Sequence, residues 1–138
     1  MKKQRRNVSW RRPHTLREVG RDADSVEEMG LNLAEFLDHI NSLLQKKASR
    51  TTLYATLRGE PPPTGDAVQD AYLAAVAAHL ATLHRLPRPA WVDKADRRLD
   101  RPWFALPDPW ARAWLLRDSP AAFRERNLFT TEDAIQRV

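Results

Sequence analysis

The chain has no cysteine and only four glycines in 138 residues, and its first twelve residues contain no acid. Without cysteine there is no disulfide scaffold, no thiolate-ligated zinc and no thiol nucleophile. The glycines, at positions 20, 30, 59 and 65, are too scattered to form a phosphate-cradling loop. No apolar run approaches the roughly 18–20 residues that a spanning helix needs. The opening MKKQRR has the charge of a signal-peptide start, but NVSWRRPHTL comes next in place of an apolar core. A cytoplasmic protein is the expectation. The four histidines form no metal-ligand pattern: His79 and His84 are five apart, about 140° around a helix. Asp38 and His39 are adjacent and so face apart on a helix. No nucleophile elbow or carboxylate pair stands out. The expectation is a protein that is not an enzyme, with no catalytic, cofactor-binding or metal-binding residue.

The residues that are present are unevenly placed. The net charge is +5, but six of the 23 bases lie in residues 1–12, leaving 17 against 18 acids in the remainder. The first twelve residues therefore read as a flexible basic tail. The remainder is itself polarised. Six acids and no base lie between residues 22 and 38, then four bases (Lys46, Lys47, Arg50, Arg58) and no acid between 39 and 59. A short basic arm suits a polyanion or an acidic protein surface.

The periodicity is that of an all-α protein, and no period-2 alternation bounded by turns is present. Thr15 and Glu18 fit a capping box opening a short helix over 16–22. Ser25 and Glu28 fit a second, with Val26, Met29, Leu33, Phe36, Leu37, Ile40, Leu43 and Leu44 behind it at helical spacing. Gly30 marks a candidate break in that helix, with Asn32 capping its second half. A third helix is expected over 49–58, ended by Gly59 and three prolines. Asp66 should cap a fourth with the stripe Val68, Tyr72, Val76, Leu80 and Leu83, ending before Pro87. Between residues 87 and 120 lie six of the ten prolines and four of the five tryptophans. Repeated proline prevents one long helix there. The expected architecture is a small helical bundle over 13–86, with an irregular Trp/Pro-rich segment over 87–138 wrapping it, together one domain. Within that segment Asp108-Pro109 and Ser119-Pro120 read as cap-and-proline starts of short helices, and a last helix should carry Ile135 and Val138.

Two stretches point to binding. Residues 49–62, SRTTLYATLRGEPP, resemble the recognition helix and adjoining turn of phage-repressor-type helix-turn-helix proteins. On that reading Lys46, Lys47, Ser49, Arg50, Thr51 and Thr56 would meet nucleic acid, while Leu53, Tyr54 and Leu57 pack inward. An ordinary amphipathic helix with a proline stop fits the same residues. In the Trp-rich stretch, Trp91, Trp103, Phe104, Trp110 and Trp114 either complete a core or anchor a protein partner. Trp110 and Trp114, four apart, are expected in the core. Trp103, Phe104, Arg124 and Arg126 are the candidate partner-binding residues, the arginines stacking on rings or pairing with Asp118.

Several motifs in order carry a family resemblance: LREV and RDADS at 16–25, NLAEFL at 32–37, and DAYLAA with HLA between 70 and 81. PAW at 89–91, PWF at 102–104 and SPAAFRERNLF at 119–129 complete the series. The chain resembles a family of small bacterial helical proteins ending in an SPxxFRxRNLF motif, whose genes often lie beside genes for nucleotidyltransferase-like toxins. The resemblance implies an antitoxin that binds and neutralises such a toxin and can autoregulate its operon. It supplies no catalytic residues. The alternative expectation is a DNA-binding transcriptional regulator using residues 49–58 and the basic tail.

Overall fold

The computed structural model describes residues 12–131. The tail up to residue 11 and the expected helix with Ile135 and Val138 lie outside the described residues. The fold is mostly helical, as the periodicity predicts, with six α-helices and two very short strands among the described residues. It forms two compact units that part between Pro62 and Pro63. The sequence pattern places the internal division at Pro87 instead. The boundary moves because the fourth helix packs with later elements of the chain: the turns after Pro89, the sixth helix and the last strand.

The first unit is built from α1 (Leu16–Arg21), α2 (Val26–Gln45) and α3 (Arg50–Arg58), with α1 packing on both others. The α1 capping box is complete. The Thr15 hydroxyl accepts from the Glu18 amide, and the Glu18 carboxylate accepts from the His14 and Thr15 amides at 2.8 and 3.0 Å. At α2 the device is split: Ser25 accepts from the Glu28 amide, while the Glu28 carboxylate accepts from Asp24. The helix runs unbroken through Gly30. Asn32 is buried and sends its amide 3.5 Å to the Val19 carbonyl instead of capping a second helix. Met29, Leu33, Phe36, Leu37 and Ile40 form the buried stripe. Val26, expected on that stripe, is exposed at its end, in the first turn of the helix.

The second unit begins with α4 (Ala67–Leu83), capped by Asp66, whose carboxylate accepts from the Val68 and Gln69 amides. This helix is buried almost all round, at Ala71, from Leu73 through Ala78, and at Leu80 and Ala81, rather than along one stripe. Its small side chains allow close approach on every side, and Leu83 of the expected stripe is exposed. Next come 3-10 turns at Ala90–Asp93 and Ala95–Arg97, then strand β1 (Trp103–Phe104) and a 3-10 turn at Pro109–Ala111 leading into α5 (Arg112–Asp118). The unit closes with α6 (Ala121–Arg124) and β2 (Leu128–Phe129). The strands pair in parallel, Trp103 opposite Leu128 and Phe104 opposite Phe129. The Trp103 amide donates to the Asn127 carbonyl and the Ala105 amide to that of Phe129, at 2.8 and 2.9 Å. Two residues are too short to show alternation, so the sequence pattern misses this pair. Asp108 and Pro109 take the cap and first positions of the turn leading into α5, as expected, although Asp108 accepts from the Ala111 amide through its carbonyl and not its side chain; α6 starts on Pro120 with no side-chain cap.

Candidate binding surfaces

The SPAAFRERNLF motif holds the second unit together. The buried Ser119 hydroxyl lies 2.6 Å from the Leu115 carbonyl and 2.9 Å from that of Thr130, and accepts from the Thr130 amide at 2.8 Å. It thereby ties the end of α5 to the residue after β2. Phe123, fully buried, meets Tyr72 edge to face at 5.1 Å and His79 at 6.5 Å. Arg126 is also fully buried. It donates to the Ala122 and Val92 carbonyls at 2.7 and 2.9 Å and reaches Asp93 at 3.5 Å. Asn127 turns the chain with φ 62° and donates to the Leu99 carbonyl at 2.8 Å. Burial, with Arg88 and Arg98 close by, pushes the Arg126 pKa down. Its Nε has no hydrogen-bond partner.

These positions correct the partner-binding expectation. Arg126 is interior and spends its donors on backbone carbonyls, so no partner reaches it. Arg124 is exposed. Trp103 and Phe104 are half-buried in the strand pair, with Phe104 stacked on Phe129 at 5.1 Å and the Arg112 guanidinium over its ring. Neither arginine stacks as expected, and Asp118 pairs with Arg117 instead, at 2.9 Å. That contact first, and then Trp114, holds the Asp118 carboxyl below the ordinary range.

The largest departure is at α5. Trp110 is 73% exposed, Trp114 39% and Leu116 47%. The inward face belongs to Ala111 and Leu115, both fully buried with Phe129 and flanked by Phe104 and Leu106. The two tryptophans do share helical spacing, but on the outward side. Of the five candidate core aromatics, Trp91 is the one the structure buries, under the Arg97 guanidinium.

The nucleic-acid expectation meets a second surface, the elbow between α2 and α3. Lys46 ends α2 and Lys47 turns the chain with φ 57°, its amide donating to the Leu44 carbonyl and that of Ala48 to Leu43. Ser49 caps α3 by accepting from the Thr52 amide at 3.1 Å. Lys46, Lys47, Ser49, Arg50, Thr51 and Thr52 are all exposed around this elbow. Thr56 is not. It is buried and its hydroxyl donates to the Leu53 carbonyl at 2.6 Å, so it reads no base edge. Leu53 and Leu57 face inward as expected, and Tyr54 is half-buried.

Among the described residues no group of three or more His, Asp or Glu is placed to hold a metal ion, and no helix is long and apolar enough to cross a membrane. No protein-family model, curated protein or solved structure matches the chain.

Proposed function

We propose that this chain is a non-enzymatic antitoxin-type protein that binds and neutralises a nucleotidyltransferase-like toxin through the outward face of α5. The observation that supports this surface is the exposure of Trp114 and of Trp110, in the 3-10 turn that leads into α5. Tryptophan on a helix face is a rigid, large contact and is enriched among residues that dominate binding energy. Residues 109–117 hold Arg112 and Arg117 and no acid. Arg117 is already paired with Asp118 and Arg112 lies over the Phe104 ring, so the complementary partner surface is chiefly apolar. The class of partner rests on the family resemblance. In the test, the product of the adjacent gene, if nucleotidyltransferase-like, is titrated calorimetrically with the chain. Trp110→Ala with Trp114→Ala should weaken binding tenfold or more, about 1.4 kcal/mol, and end neutralisation, with the melting temperature retained. Undiminished affinity in the double variant, or a neighbour of another class, would overturn the reading.

A second reading is supported by the α2–α3 elbow, which gathers Lys46, Lys47, Arg50 and Thr51 in the open. It is duplex DNA binding, which would serve autoregulation. Lys47→Ala with Arg50→Ala should reduce the salt dependence of duplex binding by about two counterions. An unchanged salt slope in an anisotropy titration would remove DNA from the account.

A further inference from the structure

In the first unit, His14 lies on His39. The ring centroids are 4.3 Å apart and the planes differ by 10°. His14 belongs to the segment that enters α1, and His39 is in α2. Beside the stack, Arg12 of the same entering segment donates to the Glu35 carboxylate of α2 at 3.0 Å. The α1 capping box fixes the end of this segment, because Glu18 accepts from the His14 and Thr15 amides. Residues 12–15 are thus docked by one ring stack, one exposed ion pair, one capping carboxylate and the buried Pro13 ring, of which the last does not respond to pH.

Neutral imidazoles can stack in this way. Two imidazolium rings at 4.3 Å carry like charges in contact, and the first proton taken up disfavours the second. The charges that act on His39 come from each side. Arg12 and His14 of the entering segment oppose its protonation, as does Lys46 at the end of α2, whereas Glu18 of α1 favours it. Glu35 lies at Arg12. The Arg12–Glu35 pair is solvent-exposed, and such pairs contribute about 0–1 kcal/mol. The stack is therefore the part of this docking that acidification changes most.

We propose that the His14–His39 stack is a pH-sensitive latch, which holds residues 12–15 on α2 when both rings are neutral and releases them when the rings are protonated. The segment it holds comes directly after the five bases of residues 1–11. Protonation adds positive charge directly after that basic stretch of the sequence. The latch would make any contact of that sequence with a polyanion depend on pH. It is independent of the α5 surface.

The direction is set by the docked state. Burial first, and then His14, holds the His39 pKa below its ordinary value. With the segment released, His39 takes up its proton more readily, so docking is complete above the ordinary histidine pKa. It weakens as pH falls through that value toward the lowered one, by at most about tenfold per pH unit for each proton.

The test uses the full chain and histidine ring NMR signals, with the Thr15 amide as reporter of docking. Acidification should titrate His39 with a midpoint below 6.5, and the Thr15 signal should move with it. Position 14 is exposed, so it tolerates substitution. His14→Phe keeps a ring and removes the charge. It should raise the His39 midpoint and abolish the acid-induced change at Thr15. His14→Asn should leave Thr15 in its acid-like position at neutral pH. Titration of His39 at the ordinary value, or an acid response at Thr15 unchanged in His14→Phe, would overturn the latch.

Discussion

The Arg97 guanidinium lies 5.0 Å from the centre of the Trp91 ring, and both side chains are buried. Arg97 also donates to the Asp70 carbonyl in α4 at 3.1 Å. The two 3-10 turns are thereby fastened to each other and to the central helix. Trp91→Ala should cost about 3–5 kcal/mol through the lost contact area and the cavity left behind. It would also uncover a buried cation. Thermal melts should show a cooperative loss far larger than for any exposed aromatic.

Trp110→Ala and Trp114→Ala form the opposite case. Exposed side chains away from special features change stability by about 0.5 kcal/mol or less. Both variants should melt within a few degrees of the parent. A drop comparable to that of Trp91→Ala would show that α5 turns its tryptophans inward, and would remove the docking face.

Arg126→Met is expected to be strongly destabilising, although it replaces a charge with an apolar chain. The Ala122 and Val92 carbonyls would lose buried donors, at roughly 1–3 kcal/mol for each group left unsatisfied. Arg126→Lys should recover part of the loss, since one ammonium cannot reach both carbonyls in the geometry of a planar guanidinium. Denaturant melts of the two variants rank them directly.

Two positions in the first unit carry the less favourable residue for their backbone. Gly30 lies in the interior of α2, and a Cβ there would meet nothing within 4 Å. Lys47 adopts φ 57°, which glycine takes more readily. Gly30→Ala and Lys47→Gly should each stabilise the unit by about 0.5–1 kcal/mol. A rise of a few degrees in melting temperature would be the signature.

His79 gives the second unit its own pH response. Burial first, with His84 nearby, lowers its pKa below 6.5 in the folded chain. The unfolded chain then binds the proton more readily. Stability is full above the ordinary histidine value, falls as pH drops through it, and levels off below the lowered one. His79→Phe should flatten that slope in melts recorded across the same range, leaving what His84, whose pKa burial also lowers, and the first unit contribute.

The legibility of these features in the sequence tracks their physical scale. Capping residues act on the nearest amides, so Thr15, Ser25 and Asp66 mark helix starts from sequence alone. The stripe from Met29 to Ile40 is equally local. At α5 the spacing of Trp110 and Trp114 correctly puts them on one side, but spacing does not say which side faces in. The smaller pair Ala111 and Leu115 occupies the inward side, because Phe129 arrives there from farther along the chain. Buried Arg97 and Arg126 are illegible for a related reason: their acceptors are backbone carbonyls, those of Asp70 and Val92 in distant segments, and a carbonyl leaves no trace in the sequence. Thr56 misleads because a hydroxyl on a short helix satisfies itself on its own backbone as readily as it meets a ligand.

The parallel pairing of β1 with β2 has a kinetic consequence. It joins residues 103–104 to 128–129, so the chain between them becomes a loop, and the contact of Leu115 with Phe129 lies inside it. Closing such a loop costs entropy before any contact repays it. The helices can form early from local contacts, whereas the second unit waits for its last residues. A chain ending before Leu128 would lack the strand that shuts this loop, leaving α5 without the ring against which its inward face is sealed.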